Sequence, residues 1–205
     1  MKQRNNTPRS QGSPQTITRA VTYIRLGEAN TSKLTALDDL ARVYLSLCQQ
    51  YVTLFCTEEA PDKFRAPYFA SPLSERWHRV AIQQAAGIAR AFRTNRENAY
   101  HDYLEELEDY QEQQASSPPD PQAQAPTWRE WNVPTLRQSC IQANGNVVVL
   151  ERAQDSTFDY WLKISTLTFR KQLLLPVKLA DYHRRALSGK TINSSVTLNR
   201  REDGW

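Results

Sequence analysis

The chain has 205 residues, a net charge of +4 and 40% hydrophobic residues, which is enough to bury a core in one large or two small domains. Its longest apolar runs are far shorter than the roughly 20 residues that cross a bilayer, and no apolar segment follows Lys2 and Arg4. These features argue against a membrane protein and a secretory signal, so we expect a cytoplasmic protein with no membrane partner.

The charge is distributed unevenly along the chain. Residues 1–33 and 63–99 each carry an excess of about five positive charges, and residues 160–205 carry about six. Residues 100–125 carry about seven negative charges and no Lys or Arg. Such segregation creates local fields that the net charge conceals. We therefore expect the basic blocks to meet phosphates and the acidic block to stay solvated.

The first third of the chain predicts an arm, a strand and a helix. Residues 1–15 are rich in Asn, Gln, Ser, Pro and Arg, which predicts a flexible arm. Alternation over 16–27, followed by a turn, places a first strand within residues 16–32. Apolar residues then recur at helical spacing over 33–57 and predict a helix there.

A second helix is predicted from about 73 to 113, with Ser71 and Pro72 at its start. The two helices form a helical block over residues 33–114. On the side opposite to the apolar positions, four arginines fall within an arc of about 100°. This face is either a solvated surface or a phosphate-binding surface, and arginine suits phosphate. The four are Arg76, Arg79, Arg90 and Arg93.

Residues 115–126 predict a linker rich in Pro, Ser, Ala and Gln, and residues 127–205 a strand-rich domain. Within this domain we predict a short helical piece around 134–143 and a turn at Asn144-Gly145-Asn146. Pro176 indicates an edge strand or a bulge. Strands are predicted over 146–152, 157–165, 173–179 and 191–201, with a short basic helix over 178–187. The element order predicts an α+β fold.

The strand over 157–165 carries a candidate nucleic-acid site. Its pleat puts Trp161 and Lys163 on the face opposite to Leu162 and Ile164. An aromatic ring can stack on a base while a neighbouring cation meets phosphate. In the equally weighted alternative, the helical block covers Trp161.

Clustered cations make the last domain the densest basic region, as sequence-independent backbone binding requires. A solvated surface is the alternative. This domain and the N-terminal segment supply the further candidate nucleic-acid-binding residues. They are Arg19, Arg25, Arg170, Lys171, Lys178, Arg184, Arg185, Lys190, Arg200 and Arg201.

No residue pattern predicts a catalytic or metal site. Cys48, Cys56 and Cys140 are an odd number without CxxC spacing, and the first two fit a helix core. The carboxylates over 105–112 lie on one helix end, whereas two-metal chemistry needs acids that converge from separate elements. We expect no metal and no cofactor in this chain.

The order of segments resembles a known family. A first strand and a helical insertion precede FDYWLKISTL over 158–167, LLLPVKLADYHRRAL over 173–187 and SVTLNRREDGW over 195–205. This order is similar to the N-terminal half of TnpB-type proteins, RNA-guided nucleases long classed as transposases, and of their type V CRISPR-associated relatives. The likeness covers roughly 16–205 and is strongest over 156–205.

The resemblance implies an antiparallel, barrel-like wedge domain with an inserted helical recognition lobe. It implies a guide RNA and target DNA as partners, gripped through their backbones while base pairing reads the sequence. The family's catalytic acids and zinc-ribbon cysteines belong to a later RuvC-like domain that has no counterpart here. We therefore expect a fragment, split subunit or truncated relative that is not an enzyme alone, with Mg²⁺ only in the missing nuclease domain.

Two rival hypotheses remain. The chain could be a protein-interaction scaffold that docks a separate catalytic chain through its acidic stretch 100–113 and its aromatic loop 64–77. It could also be a hydrolase in its own right, which the lack of converging acids disfavours.

Overall fold

The computed structural model describes residues 23–57, 66–115, 124–137, 140–168, 170–189 and 195–205. These residues form a mixed α+β fold. The predicted arm over 1–15, residues 16–22 of the predicted first strand, Arg19 and Lys190 lie outside the described residues. The elements in chain order are α1 (Thr31–Thr57), α2 (Glu75–Ala115), β1 (Cys140–Ala143), β2 (Val148–Arg152), β3 (Tyr160–Ser165), β4 (Gln172–Val177), α3 (Asp181–Leu187) and β5 (Val196–Asn199).

The two long helices pack side by side and run in the same direction. Tyr44 meets Trp77 edge to face at 5.4 Å, and further along both helices the Cys48 thiol contacts the Ala81 carbonyl. A parallel pair requires the connection to return along α1. It does so where Phe69 packs on Tyr51, with ring centroids 4.9 Å apart.

Helix α2 is continuous through the acidic stretch. It begins at Glu75, because the Ser74 carbonyl accepts the first helical hydrogen bonds from Trp77 and His78. The predicted cap residue Ser71 instead forms a turn, since its hydroxyl accepts a hydrogen bond from the Leu73 N–H.

The strands form two small antiparallel sheets within the described residues, one with the order β2-β3-β4 and one pairing β1 with β5. Tyr160 lies opposite Val177 and Ser165 opposite Gln172, so β3 is central and β4 is an edge strand. The edge position fits the prediction from Pro176. The predicted strands around 146–152, 157–165 and 173–179 are confirmed with shorter bounds, but these described strands form no closed barrel.

Strand β1 occupies a region where a short helix was predicted. Its residues alternate, with Ile141 and Ala143 buried and Gln142 exposed. Its backbone pairs with β5 on one side, and on the other the Gln84 side chain binds the Cys140 carbonyl and the Gln142 N–H. The extended conformation is thus imposed by partners distant in sequence, which explains why the helix prediction was wrong.

Helices and strands share one hydrophobic core. Leu40, Trp77, Ile141, Ile164 and Leu175 are all at most 1% exposed and belong to the same buried cluster. No helix in the described parts of the chain is both long enough and apolar enough to cross a membrane.

The segment before α1 lies against the segment after β5. The Leu26 N–H donates to the Trp205 carbonyl at 2.9 Å, and Arg25 pairs with Asp203 at 2.5 Å. Residues 23–30 have no strand conformation, so the predicted first strand does not extend into them.

Candidate nucleic-acid interface

An arginine stripe, which we define as Arg76, Arg79 and Arg90, runs along the exposed face of α2. All three side chains face solvent, and no Asp or Glu occurs between Arg76 and Arg96. At 1.5 Å per residue, Arg76 and Arg90 are about 21 Å apart along the helix. A row of cations of this length can contact several phosphates of one nucleic-acid backbone.

Two of the predicted arginines on α2 already have partners in the free protein. Arg79 pairs with Glu75 one turn earlier, but both side chains are more than half exposed, so this ion pair is weak and exchangeable. Arg93 turns away from the stripe, because its guanidinium donates to the Phe55 carbonyl at 2.6 Å in the last turn of α1. It caps a helix end whose carbonyls lack helical partners.

The turn between β3 and β4 brings further cations to the start of α2. The Trp77 indole N–H donates to the Ser165 carbonyl at 3.1 Å, which places the end of β3 beside the first turn of α2. The Thr166 N–H donates to the Lys171 carbonyl, so Lys171 lies in the same turn. Arg76 and the exposed Arg170 and Lys171 are thus at one end of the three-stranded sheet.

Four of the other described candidates, Arg25, Lys178, Arg184 and Arg185, lie near the opposite end of that sheet. Lys171 and Lys178 flank β4, and an extended strand of this length separates them by about 23 Å. Lys178 and Arg25 line an open depression of about 320 Å³ beside Ala180, together with Glu28. The predicted cations therefore form two groups rather than one surface.

In this second group Arg184 is part of the fold. Its guanidinium donates to both carboxylate oxygens of Asp159, at 2.9 and 3.2 Å, and to Asp181. The Leu179 N–H also donates to Asp159, at 2.7 Å. These contacts fasten α3 to the start of β3. Arg185 is exposed as well.

The hydrogen bonds from Arg184 and from the Leu179 N–H lower the pKa of Asp159 below its ordinary value. A carboxylate with a depressed pKa in the folded state stabilises the fold at neutral pH. That contribution is lost as the pH falls through the folded-state pKa.

Arg200 and Arg201 hold the end of the described chain in place. Arg200 and the Trp205 indole N–H both donate to the same Asp38 oxygen on α1, at 2.9 and 2.8 Å. The Arg201 guanidinium lies over the Tyr23 ring, 3.7 Å from its centroid. Most contacts of Arg200 and Arg201 therefore stabilise the fold.

Trp161 and Lys163 occupy the predicted face of β3, opposite the buried Leu162 and Ile164. Lys163 forms a salt bridge with Glu151 on the neighbouring strand. Trp161 is partly covered, because the Phe158 ring meets it edge to face at 5.5 Å and the Lys33 ammonium lies 5.9 Å from its centroid. The helical block thus contributes to covering Trp161, as the alternative interpretation expected.

Lys33 was missed by the sequence analysis. No local pattern identifies it, because its position over Trp161 depends on how α1 packs against the sheet.

The cysteine and histidine side chains within the described ranges do not come together in one site. Burial raises the pKa of the Cys48 thiol to about 12, so this thiol is protonated at neutral pH. His78 is 4% exposed, and its Nδ1 lies 2.8 Å from the Tyr51 hydroxyl, while burial lowers its pKa. Among these residues no three His, Cys, Asp or Glu side chains are placed to hold a metal ion.

Comparison with known proteins gave no match: none of the family models, none of the curated proteins and none of the solved structures is significantly similar to this chain. What the chain binds must therefore be inferred from its own residues.

Proposed function

We propose that this chain binds nucleic acid through its phosphate backbone, with the arginine stripe of α2 as the principal contact and Lys171 at its end. The single observation that carries this proposal is the row of exposed arginines on α2, with no Asp or Glu between Arg76 and Arg96. Solvated helix faces usually mix both signs of charge, whereas backbone binding requires clustered cations. Arginine also forms paired hydrogen bonds with phosphate oxygens.

The resemblance to TnpB-type proteins extends this proposal. In that role the chain would be the wedge and recognition part of a cytoplasmic, transposon- or CRISPR-associated RNA-guided nuclease, with the strands forming the barrel-like wedge. It would grip guide RNA and its duplex with target DNA, and a separate nuclease portion would supply Mg²⁺ and catalysis. The Leu26–Trp205 hydrogen bond supports this reading, because the chain returns after its helices to the segment that precedes them.

A binding measurement with charge variants tests the proposal. The probe is an RNA hairpin with a stem of about eighteen base pairs, titrated over a range of salt concentrations. For R76Q/R90Q we expect binding about tenfold weaker, and a slope of log K against log salt reduced by up to about 1.8. Both effects follow from the loss of two phosphate contacts.

The matched control is R129Q/R137Q, which removes the same charge from exposed positions outside the stripe. We expect this variant to bind within about twofold of the unchanged chain. Equal losses in both variants, or an affinity of the unchanged chain that does not vary with salt, would refute the proposal.

A further inference from the structure

The exposed face of α2 that carries the arginine stripe changes sign half-way along the helix. At 100° per residue, Arg76, Arg90, Glu97, Glu105 and Glu108 lie within an arc of about 80°. All five side chains face solvent, and α2 is unbroken between them. One continuous surface is therefore cationic in its first part and anionic in its second.

The change from positive to negative charge occurs over a short distance along α2. Arg90 and Glu97 are about 10 Å apart along the helix, and Glu97 and Glu108 about 16 Å. Arg96 adds no positive charge to this face, because its side chain points to another side of the helix. There its guanidinium lies 3.9 Å from a carboxylate oxygen of Glu130. Charges are screened over about 8 Å at physiological ionic strength. A phosphate beside Glu105 would therefore meet repulsion that the stripe can offset only weakly.

We propose that Glu97, Glu105 and Glu108 form a charge boundary that ends the nucleic-acid track, so that a bound backbone must leave α2 after Arg90. This inference rests on the proposed function and adds a length limit to it. The stripe extends for about 21 Å, which corresponds to roughly seven base pairs of an A-form RNA stem, whose rise per pair is shorter than that of B-form DNA. A longer duplex cannot continue along the same helix face without approaching the three carboxylates.

The experiment compares RNA hairpins with stems of about six and about eighteen base pairs. The variant E97Q/E105Q/E108Q removes the boundary and keeps side-chain size. We expect it to bind the long stem about fivefold more tightly than the unchanged chain does, and the short stem within about twofold. The short stem fits beside the stripe and never reaches the carboxylates.

The control changes the same helix segment by the same charge on a different side. Asp102, Glu106 and Asp109 are exposed, and their mean direction lies about 110° around the helix from that of the boundary residues. For D102N/E106Q/D109N we expect both stems to bind within about twofold of the unchanged chain. Circular dichroism checks that each variant keeps its helix content.

The outcomes separate this inference from the proposed function. If the unchanged chain binds neither hairpin, the proposed function is refuted and the boundary with it. If the chain binds RNA but the boundary variant gains equally on both stems, or no more than its control, only the boundary is refuted.

Discussion

Replacing Trp77 with alanine is expected to lower the free energy of unfolding by about 3–5 kcal/mol. Trp77 is fully buried, packs edge to face against Tyr44 and donates its indole N–H to the Ser165 carbonyl. The substitution leaves a cavity between the two helices and removes the hydrogen bond that ties α2 to the sheet. Urea unfolding followed by circular dichroism measures the change.

Two further variants define the cause of this loss. W77F keeps one aromatic ring but removes the N–H donor and part of the indole volume, so it should cost less than W77A, about 1–3 kcal/mol. Trp131 is 39% exposed and contacts Phe92 by its ring edge, so W131A should cost less than about 1 kcal/mol. A W77A protein as stable as W131A would contradict the packing described for Trp77.

Replacing Gln84 with leucine should cost about 3 kcal/mol, although the side chain keeps a similar volume. Gln84 is 9% exposed and makes three hydrogen bonds. Its amide donates to the Cys140 carbonyl at 2.8 Å, and its oxygen accepts from the Gln142 N–H and from the Tyr44 hydroxyl. Leucine leaves the buried Tyr44 hydroxyl and the part-buried backbone groups of Cys140 and Gln142 without this partner. An unpaired buried polar group costs about 1–3 kcal/mol.

The neighbouring glutamine is the matched control for this prediction. Gln83 is exposed, so Q83L should change the free energy of unfolding by no more than about 0.5 kcal/mol. Both variants are compared by urea unfolding under the same conditions. Equal stability of the two would show that Gln84 does not hold the edge of β1.

The helices were predictable because their signal is local. Apolar residues recur at helical spacing over 33–57 and 73–113, and the observed bounds of α1 and α2 differ by two residues or fewer at each end. The three strands around Asn144 to Val177 followed from alternation and turn residues in the same way. Such patterns report which face of an element is buried, and they need no knowledge of its partners.

Elements fixed by distant partners could not be predicted. The parallel packing of α1 and α2 depends on the return of residues 66–74 along α1, for which the sequence has no periodic signal. Strand β1 is held by Gln84, 56 residues away from Cys140. Four residues of alternation are too few to distinguish such a strand from a helix turn.

The same limit applies to the candidate interface. The arginine stripe was predicted because helical spacing alone defines it. The roles of Arg25 and Arg200 were not, because their carboxylate partners Asp203 and Asp38 are 178 and 162 residues away. Counting cations therefore overestimated the basic surface of the last domain, where several positive side chains neutralise carboxylates of the fold.

Arginine footprinting locates the bound polyanion most directly. Phenylglyoxal modifies accessible guanidinium groups, and mass spectrometry identifies each modified residue with and without the long RNA hairpin. RNA should protect Arg76, Arg79 and Arg90, while Arg129 and Arg137 should react equally in both samples. Unchanged modification of the stripe in a sample where RNA is bound, with protection confined to Arg185 and its neighbours, would contradict binding along α2.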